Sequence, residues 1–233
     1  MQKKIQVLGV ELNNCSAKDA MKFVVECLQR ERMEVVEMVS MNTLAQFQQS
    51  NEDVTMFESF DLVLPSDRGI LQAAGIEEER RLKEVDDSLF MKMVMRYLQK
   101  NHIRVFLLSE TEEARQQLEE YIAEEYSHLK IVQSMSLEDK GSSDDMILNY
   151  VNGAEVECVL STVSSPLEES FVFRNKSIIN ARIWLGFGAL IREMNREKKG
   201  LQKIREIISR RILKKQVELE KKKTDIVNND SGQ

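Results

Sequence analysis

Short β-branched and apolar runs alternate along this chain with longer stretches in which apolar positions recur every three or four residues. Residues 5–12, 34–41, 61–65, 103–108, 130–135, 156–161 and 179–186 read as strands. Residues 17–31, 88–100, 111–126, 144–151 and 166–175 read as helices, and 43–60 as helical in part, with a break near Ser50 to Asp53. Ser16 and Thr111 stand where N-caps belong, and Pro65 closes a strand because it has no N–H to give to a ladder. Strands separated by helices of this length predict βαβ units: an α/β, Rossmann-like, mainly parallel sheet with helices on both faces. In such sheets ligands lie beyond the C-terminal strand ends, which directs attention to residues 40–43, 65–69, 109–111, 162–166 and 186–189.

The pattern changes near Arg192. Leu201, Ile204, Ile208 and Ile212 keep helical spacing amid dense Lys and Arg, and 224–233 is polar. The expected organisation is an α/β domain over 1–191, a basic amphipathic helical appendage over 192–223 and a disordered tail over 224–233. Charge sharpens this division. The chain carries −6 overall, but 190–223 carries +8, which leaves an acidic body. Such a tail either meets an anionic partner or is a solvated helix of mixed charge. Nucleic acid is not the expected partner, because the body is acidic and the tail lacks interleaved aromatics.

Composition narrows the chemistry. At 233 residues, with 42% hydrophobic and 31% charged positions, the chain can bury a substantial core. Its longest apolar run, 183–191, is nine residues, far short of the ~20 of a spanning helix. No signal peptide is expected from the opening residues. Cys15, Cys27 and Cys158 are widely spaced, and only His102 and His128 offer imidazoles, so neither a disulfide framework nor a metal site is expected. No cofactor is expected. The strand ends carry no Walker loop, no Gly-x-Gly-x-x-Gly and no Gly-x-Ser-x-Gly. The nine glycines are few for phosphate-cradling turns.

The order of motifs over about residues 4–191 resembles the WecG/TagA/CpsF family of bacterial glycosyltransferases. Ile5-Gln6-Val7-Leu8-Gly9-Val10 looks like its first strand, and Met38-Val39-Ser40-Met41-Asn42 like its Val-Thr-x-Asn segment. Phe60-Asp61-Leu62-Val63-Leu64-Pro65 matches its Ala-Asp-x-Val-x-Pro strand. Arg81, Val85 and Asp86 fall on its Arg-x-x-Gly-x-Asp element, with Glu84 where glycine is usual. Arg104-Val105-Phe106-Leu107-Leu108 matches a further strand. Pro166, Glu169, Arg174 and Asn175 fall on its Pro-Lys-Gln-Glu…Arg-Asn stretch.

The resemblance implies transfer of an N-acetylhexosamine-type sugar from a UDP donor to an undecaprenyl-linked acceptor, at the inner face of the bacterial membrane, for cell-envelope polysaccharide or teichoic acid. It implies donor contacts from Ser40, Asn42, Ser109, Ser164, Glu168 and Glu169. It implies acceptor contacts from Arg81, Asp86 and the appendage residues Arg205, Arg210 and Arg211, with the appendage on an anionic membrane surface. Self-association is a further implied possibility.

Several departures from the family pattern cluster at the site. The family's general-base aspartate follows the strand-ending proline directly. Here Ser66 takes that place, and Asp67 takes the role only after a one-residue shift, with Arg68 beside it to pair with. Ser109-Glu110 replaces a glycine pair, Leu167-Glu168 replaces Lys-Gln and loses a cation and a neutral amide, and Gly186-Phe187-Gly188-Ala189-Leu190 loses an aspartate. Either the chain is an active transferase, or it is a catalytically degenerate homologue that acts as a binding or scaffold partner. Plainer roles stand beside the site roles. Asn42 caps the following helix, Arg81 and Asp86 form a structural ion pair, and Asp67 is a turn residue. Glu169 is an exposed first-turn acid, Asp86-Asp87 and Asp144-Asp145 are helix-start acids, and Trp184 and Phe187 belong to the core.

Overall fold

The computed structural model describes residues 3–50, 52–138 and 143–188. The residues from 189 onward, and with them the predicted appendage, Arg205, Arg210 and Arg211, lie outside the described residues.

Among the described residues eight strands form two sheets. β1 (Lys3–Val7) and β2 (Val10–Asn14) pair antiparallel. β3 (Glu34–Val39), β4 (Leu62–Pro65), β5 (Val105–Ser109), β6 (Ile131–Ser136), β7 (Cys158–Thr162) and β8 (Ile183–Gly186) form a six-stranded sheet in the order β4-β3-β8-β7-β5-β6, with every pairing parallel. The helices are α1 (Ala17–Cys27), α2 (Met41–Gln49), α3 (Arg68–Ala73), α4 (Glu79–Asp86), α5 (Leu89–Lys100), α6 (Glu112–Glu125), α7 (Asp144–Gly153) and α8 (Leu167–Asn175), with a 3-10 turn at Val54–Ser59. The α/β, Rossmann-like reading holds.

The helix starts follow local chemistry. Ser16, Thr111 and Ser143 each accept a backbone N–H of the first turn, so one orphan donor per helix is satisfied. The central strands are buried on both faces. Val35, Val39, Val159 and Trp184 join one apolar cluster with Phe47, Phe57 and Phe171. The alternate residues Val36, Leu160 and Leu185 are equally buried and point to the opposite face.

Three expectations are corrected. Residues 5–12 are not one strand. Leu8 (φ 50°) and Gly9 (φ 84°) turn the chain into the β1–β2 hairpin, whose Asn13 carboxamide accepts the outward Val63 N–H of edge strand β4 at 2.9 Å. The last strand begins at Ile183 rather than 179. Residues 68–86 hold two short helices, α3 and α4, so Asp86 ends a helix instead of starting one.

Candidate functional site

The predicted site residues fall into two groups at the C-terminal sheet edge. The first surrounds β3 and β4. Ser40 caps α2, its hydroxyl accepting the Thr43 N–H at 3.0 Å. Asn42, one of the residues offered as cap or donor contact, is therefore not the cap; it is exposed on the first turn of α2. Asp67 caps α3 through Oδ1, which accepts the Ile70 N–H at 2.9 Å, while Oδ2 accepts the Met41 N–H at 2.7 Å. Both carboxylate oxygens thus tie the start of α3 to the start of α2. Arg68 does not pair with Asp67. Its guanidinium reaches Asp86 at 2.9 Å and, more loosely, Glu79.

Arg81 and Asp86 do not pair either. Arg81 is gripped by Glu84, with both side chains nearly buried. The same Glu84 oxygen accepts the Ala17 N–H at 3.0 Å, and the Arg81 guanidinium also donates to Asn14. The carboxylate that stands where glycine is usual has therefore turned this arginine into a clamp between α4, α1 and β2. Ser66 and Arg81 line a cavity of only about 30 Å³, room for a water molecule but not a sugar.

The second group lies where β7 leads on one way and β5 the other, the switch point at which doubly wound sheets hold ligands. A cavity of about 320 Å³ opens here. Leu108, Val163, Phe171 and Trp184 form its apolar wall, and Glu110, Glu138, Asp144 and Arg174 its polar rim. Arg174 is committed to Asp144 by a two-pronged contact at 3.0 and 3.2 Å, and the Asn175 amide donates to the same carboxylate at 2.8 Å. The Arg174 hydrogen bonds and charge, with the Asn175 amide, hold Asp144 below the usual carboxylate range against the opposing effect of burial. Glu138 turns toward α6 and accepts its first N–H, that of Glu112, at 3.0 Å. Ser109 is fully buried beside Thr162, Oγ to Oγ1 3.0 Å, while the Ser164 carbonyl accepts the Leu167 and Glu168 N–H groups at the start of α8.

Beneath the cavity lie three buried carboxyls that only partly follow expectation. Glu168 accepts the Trp184 indole N–H at 2.7 Å. Glu169, far from being an exposed first-turn acid, is 1% accessible. Glu37 on β3 joins them; its carboxyl fills the place a side chain on Gly186 would take, since a Cβ there would meet Oε2 at 2.0 Å. Burial pushes Glu168 up to about 8, Glu169 adding repulsion and the Trp184 and Ser161 hydrogen bonds opposing it. Burial likewise pushes Glu169 up to about 7. Glu37 is desolvated and faces both, so it stays well above the usual range. At neutral pH Glu168 is thus largely uncharged: a carbonyl acceptor and an O–H donor, close in kind to the amide it replaces.

A family model described as "Glycosyl transferase WecG/TagA/CpsF family" matches residues 5–199. The chain belongs to this family. The WecG/TagA/CpsF proteins are glycosyltransferases of cell-envelope polysaccharide synthesis, which implies a sugar-nucleotide donor and a lipid-linked acceptor. No curated protein matches the chain. Among the described residues no helix is long and apolar enough to cross a membrane, and no cluster of His, Cys, Asp and Glu could hold a metal.

Sequence reasoning passed over Glu37 and Glu138 as site members. A single acid inside the apolar run Val35-Val36-Glu37-Met38-Val39 was the available signal for the first. Nothing local marks Glu138, which reaches α6 only through the fold. Trp184 and Phe187 are core residues as expected, 0% and 1% accessible.

Proposed function

We propose that this WecG/TagA/CpsF protein keeps the sugar-nucleotide scaffold but has turned its transfer apparatus to structural use, and serves cell-envelope polysaccharide synthesis as a binding or scaffold partner. One observation carries the reading. The N-terminus of α6, which follows β5 where a donor diphosphate would seek backbone N–H groups, already holds the chain's own Glu138 carboxylate, with Glu110 beside it. The commitment of both Asp67 oxygens to backbone N–H groups, and of Arg81 to Glu84, supports the same reading.

The second reading is active transfer of an N-acetylhexosamine-type sugar from a UDP donor to an undecaprenyl-linked acceptor, with Asp67 as base. The uncharged Glu168 favours it, because it supplies hydrogen bonds of the kind the replaced amide would give. Release of UDP from a panel of UDP-N-acetylhexosamines with a short polyprenyl-diphosphate acceptor separates the two. No turnover by the folded full chain is the expected result. Turnover that disappears in Asp67→Asn would establish the second reading instead. The basic 192–223 segment, with Arg205, Arg210 and Arg211, remains a proposed contact with anionic membrane surface at the inner face of the cell membrane.

A further inference from the structure

α5 is the most cationic of the described helices. It carries Lys92, Arg96 and Lys100 and no acid, and none of the three has an ion-pair partner among the described residues. Leu89, Met93, Arg96 and Lys100 recur at helical spacing, so they share one stripe, turned away from the buried Met91, Val94, Met95 and Leu98. α1 lies alongside. Between the two helices runs a groove of about 340 Å³, lined by Lys18, Met21, Lys22, Val25, Glu26 and Met93. Its floor is apolar, and Leu89, 37% accessible, extends that floor one turn beyond Met93. Lys22 pairs with Asp19 and Glu26 with Arg30, all four on exposed side chains, where an ion pair yields readily to a new partner.

We propose that the α1–α5 groove receives an acidic amphipathic helix of a partner protein. The apolar stripe of that helix lies on Met21, Val25 and Met93, and its carboxylates lie beside Lys18, Lys22, Arg96 and Lys100. Methionine suits such a floor, because its unbranched, polarizable side chain adapts to the shape laid on it. The twelve residues of α5 offer a bed of about 18 Å, three turns of a docked helix. This partner class rests on the reading of the chain as a binding or scaffold partner.

The charge pattern selects this occupant over the others. A second copy would set two cationic grooves face to face, and the basic 190–223 segment has the same sign as the groove. α6 covers the same face of the sheet as α1 and α5, since none of the three adds a buried residue to the apolar cluster that α2, α7 and α8 complete. It carries six glutamates against one arginine. A broad anionic bilayer laid on this face would therefore meet an acidic helix beside the basic groove, whereas a single narrow helix avoids it.

The probe is a labelled, end-capped peptide of about 18 residues built from Leu, Ala and Glu, with Leu on one helical stripe and Glu on both flanks. Fluorescence anisotropy on the full chain is expected to show saturable binding at least ~10-fold tighter than that of two controls. One control is a scramble of the same composition without the stripe, and the other carries Lys in place of every Glu. Met93→Glu, at a partly exposed position, is expected to weaken binding at least ~10-fold. Arg96→Glu with Lys100→Glu is expected to weaken it similarly and to flatten its salt dependence. Circular dichroism checks the fold of each variant. Equal binding of the scramble or of the Lys peptide, no binding at all, or undiminished binding by both folded variants would each overturn the proposal. Self-association that Met93→Glu abolishes would assign the groove to a second copy instead, and retention on phosphatidylglycerol vesicles that Met93→Glu abolishes would assign it to a bilayer. Turnover of UDP-N-acetylhexosamines refutes the scaffold reading by itself, whereas absent peptide binding without turnover refutes only the groove.

Discussion

Asp67 shows how a residue can occupy a catalytic-looking place and be used for something else. Its two oxygens each accept a backbone N–H, from Ile70 and from Met41, on two different helices. Removing them together leaves two helix-start donors unsatisfied. Asp67→Ala is expected to lower the unfolding free energy by ~2 kcal/mol, and Asp67→Asn by about half of that, since one amide oxygen still accepts. Urea titration of the variants checks this, and equal stability of all three would remove the structural role. Caps such as Ser16 and Thr111 were legible in the sequence because a cap is decided by the residue itself and its next few neighbours. The second partner of Asp67 lies 26 positions away, and no local pattern announces it.

At the scale of elements, what was legible depended on the length of the pattern. The helix Leu89–Lys100 shows its apolar stripe over three turns, and its bounds were readable. α3 has six residues, and α4 has eight with only Leu82 buried, so neither contains enough periodicity to be seen. The β1–β2 hairpin was hidden for a different reason. Two-residue turns with positive φ at both positions usually announce themselves as Asn-Gly or Asp-Gly, and here the first is Leu8, half exposed at φ 50°. A leucine in the left-handed region is strained. Leu8→Asn is therefore expected to raise stability by ~0.5–1 kcal/mol, read as a shift of the urea midpoint at unchanged slope. A lower midpoint would mean that the Leu8 side chain contributes more than its backbone costs.

At the scale of the whole molecule, the alternation of strand and helix announced a parallel sheet and a ligand site at its C-terminal edge, both of which depend on pattern alone. The protonation of that edge was not legible, because it follows from burial. Glu37, Glu168 and Glu169 have raised folded pKa values, so they contribute stability in full below the ordinary carboxylate range and lose it as pH rises through about 7 and about 8. Asp144, held low by Arg174, works in the other sense, contributing above its unfolded value and losing that contribution as pH falls through its folded one. Stability is therefore expected to peak at about pH 5 and to decline toward alkaline pH, and Glu168→Gln to flatten the decline. Urea midpoints measured from pH 4 to pH 9 test the sign; a rise between neutral and alkaline pH would contradict a neutral acid cluster.

The strand order carries a consequence for how this chain is made. β8 is last among the described strands, yet it lies in the middle of the sheet, between β3 and β7. As the polypeptide leaves the ribosome, β3–β4 and β5–β6–β7 can each assemble, but the inner edges of both half-sheets stay unpaired until Ile183–Gly186 emerges. Those edges belong to β3 and β7, every residue of which is buried in the folded protein, and for most of synthesis they are open to each other, to neighbouring nascent chains and to chaperones. Closure is a single late event, in which four residues complete both ladders, fold Trp184 onto Glu168 and seat Gly186 over Glu37. Ribosomes stalled before residue 183 should thus display a protease-sensitive pair of half-sheets, and those stalled well past it a resistant domain.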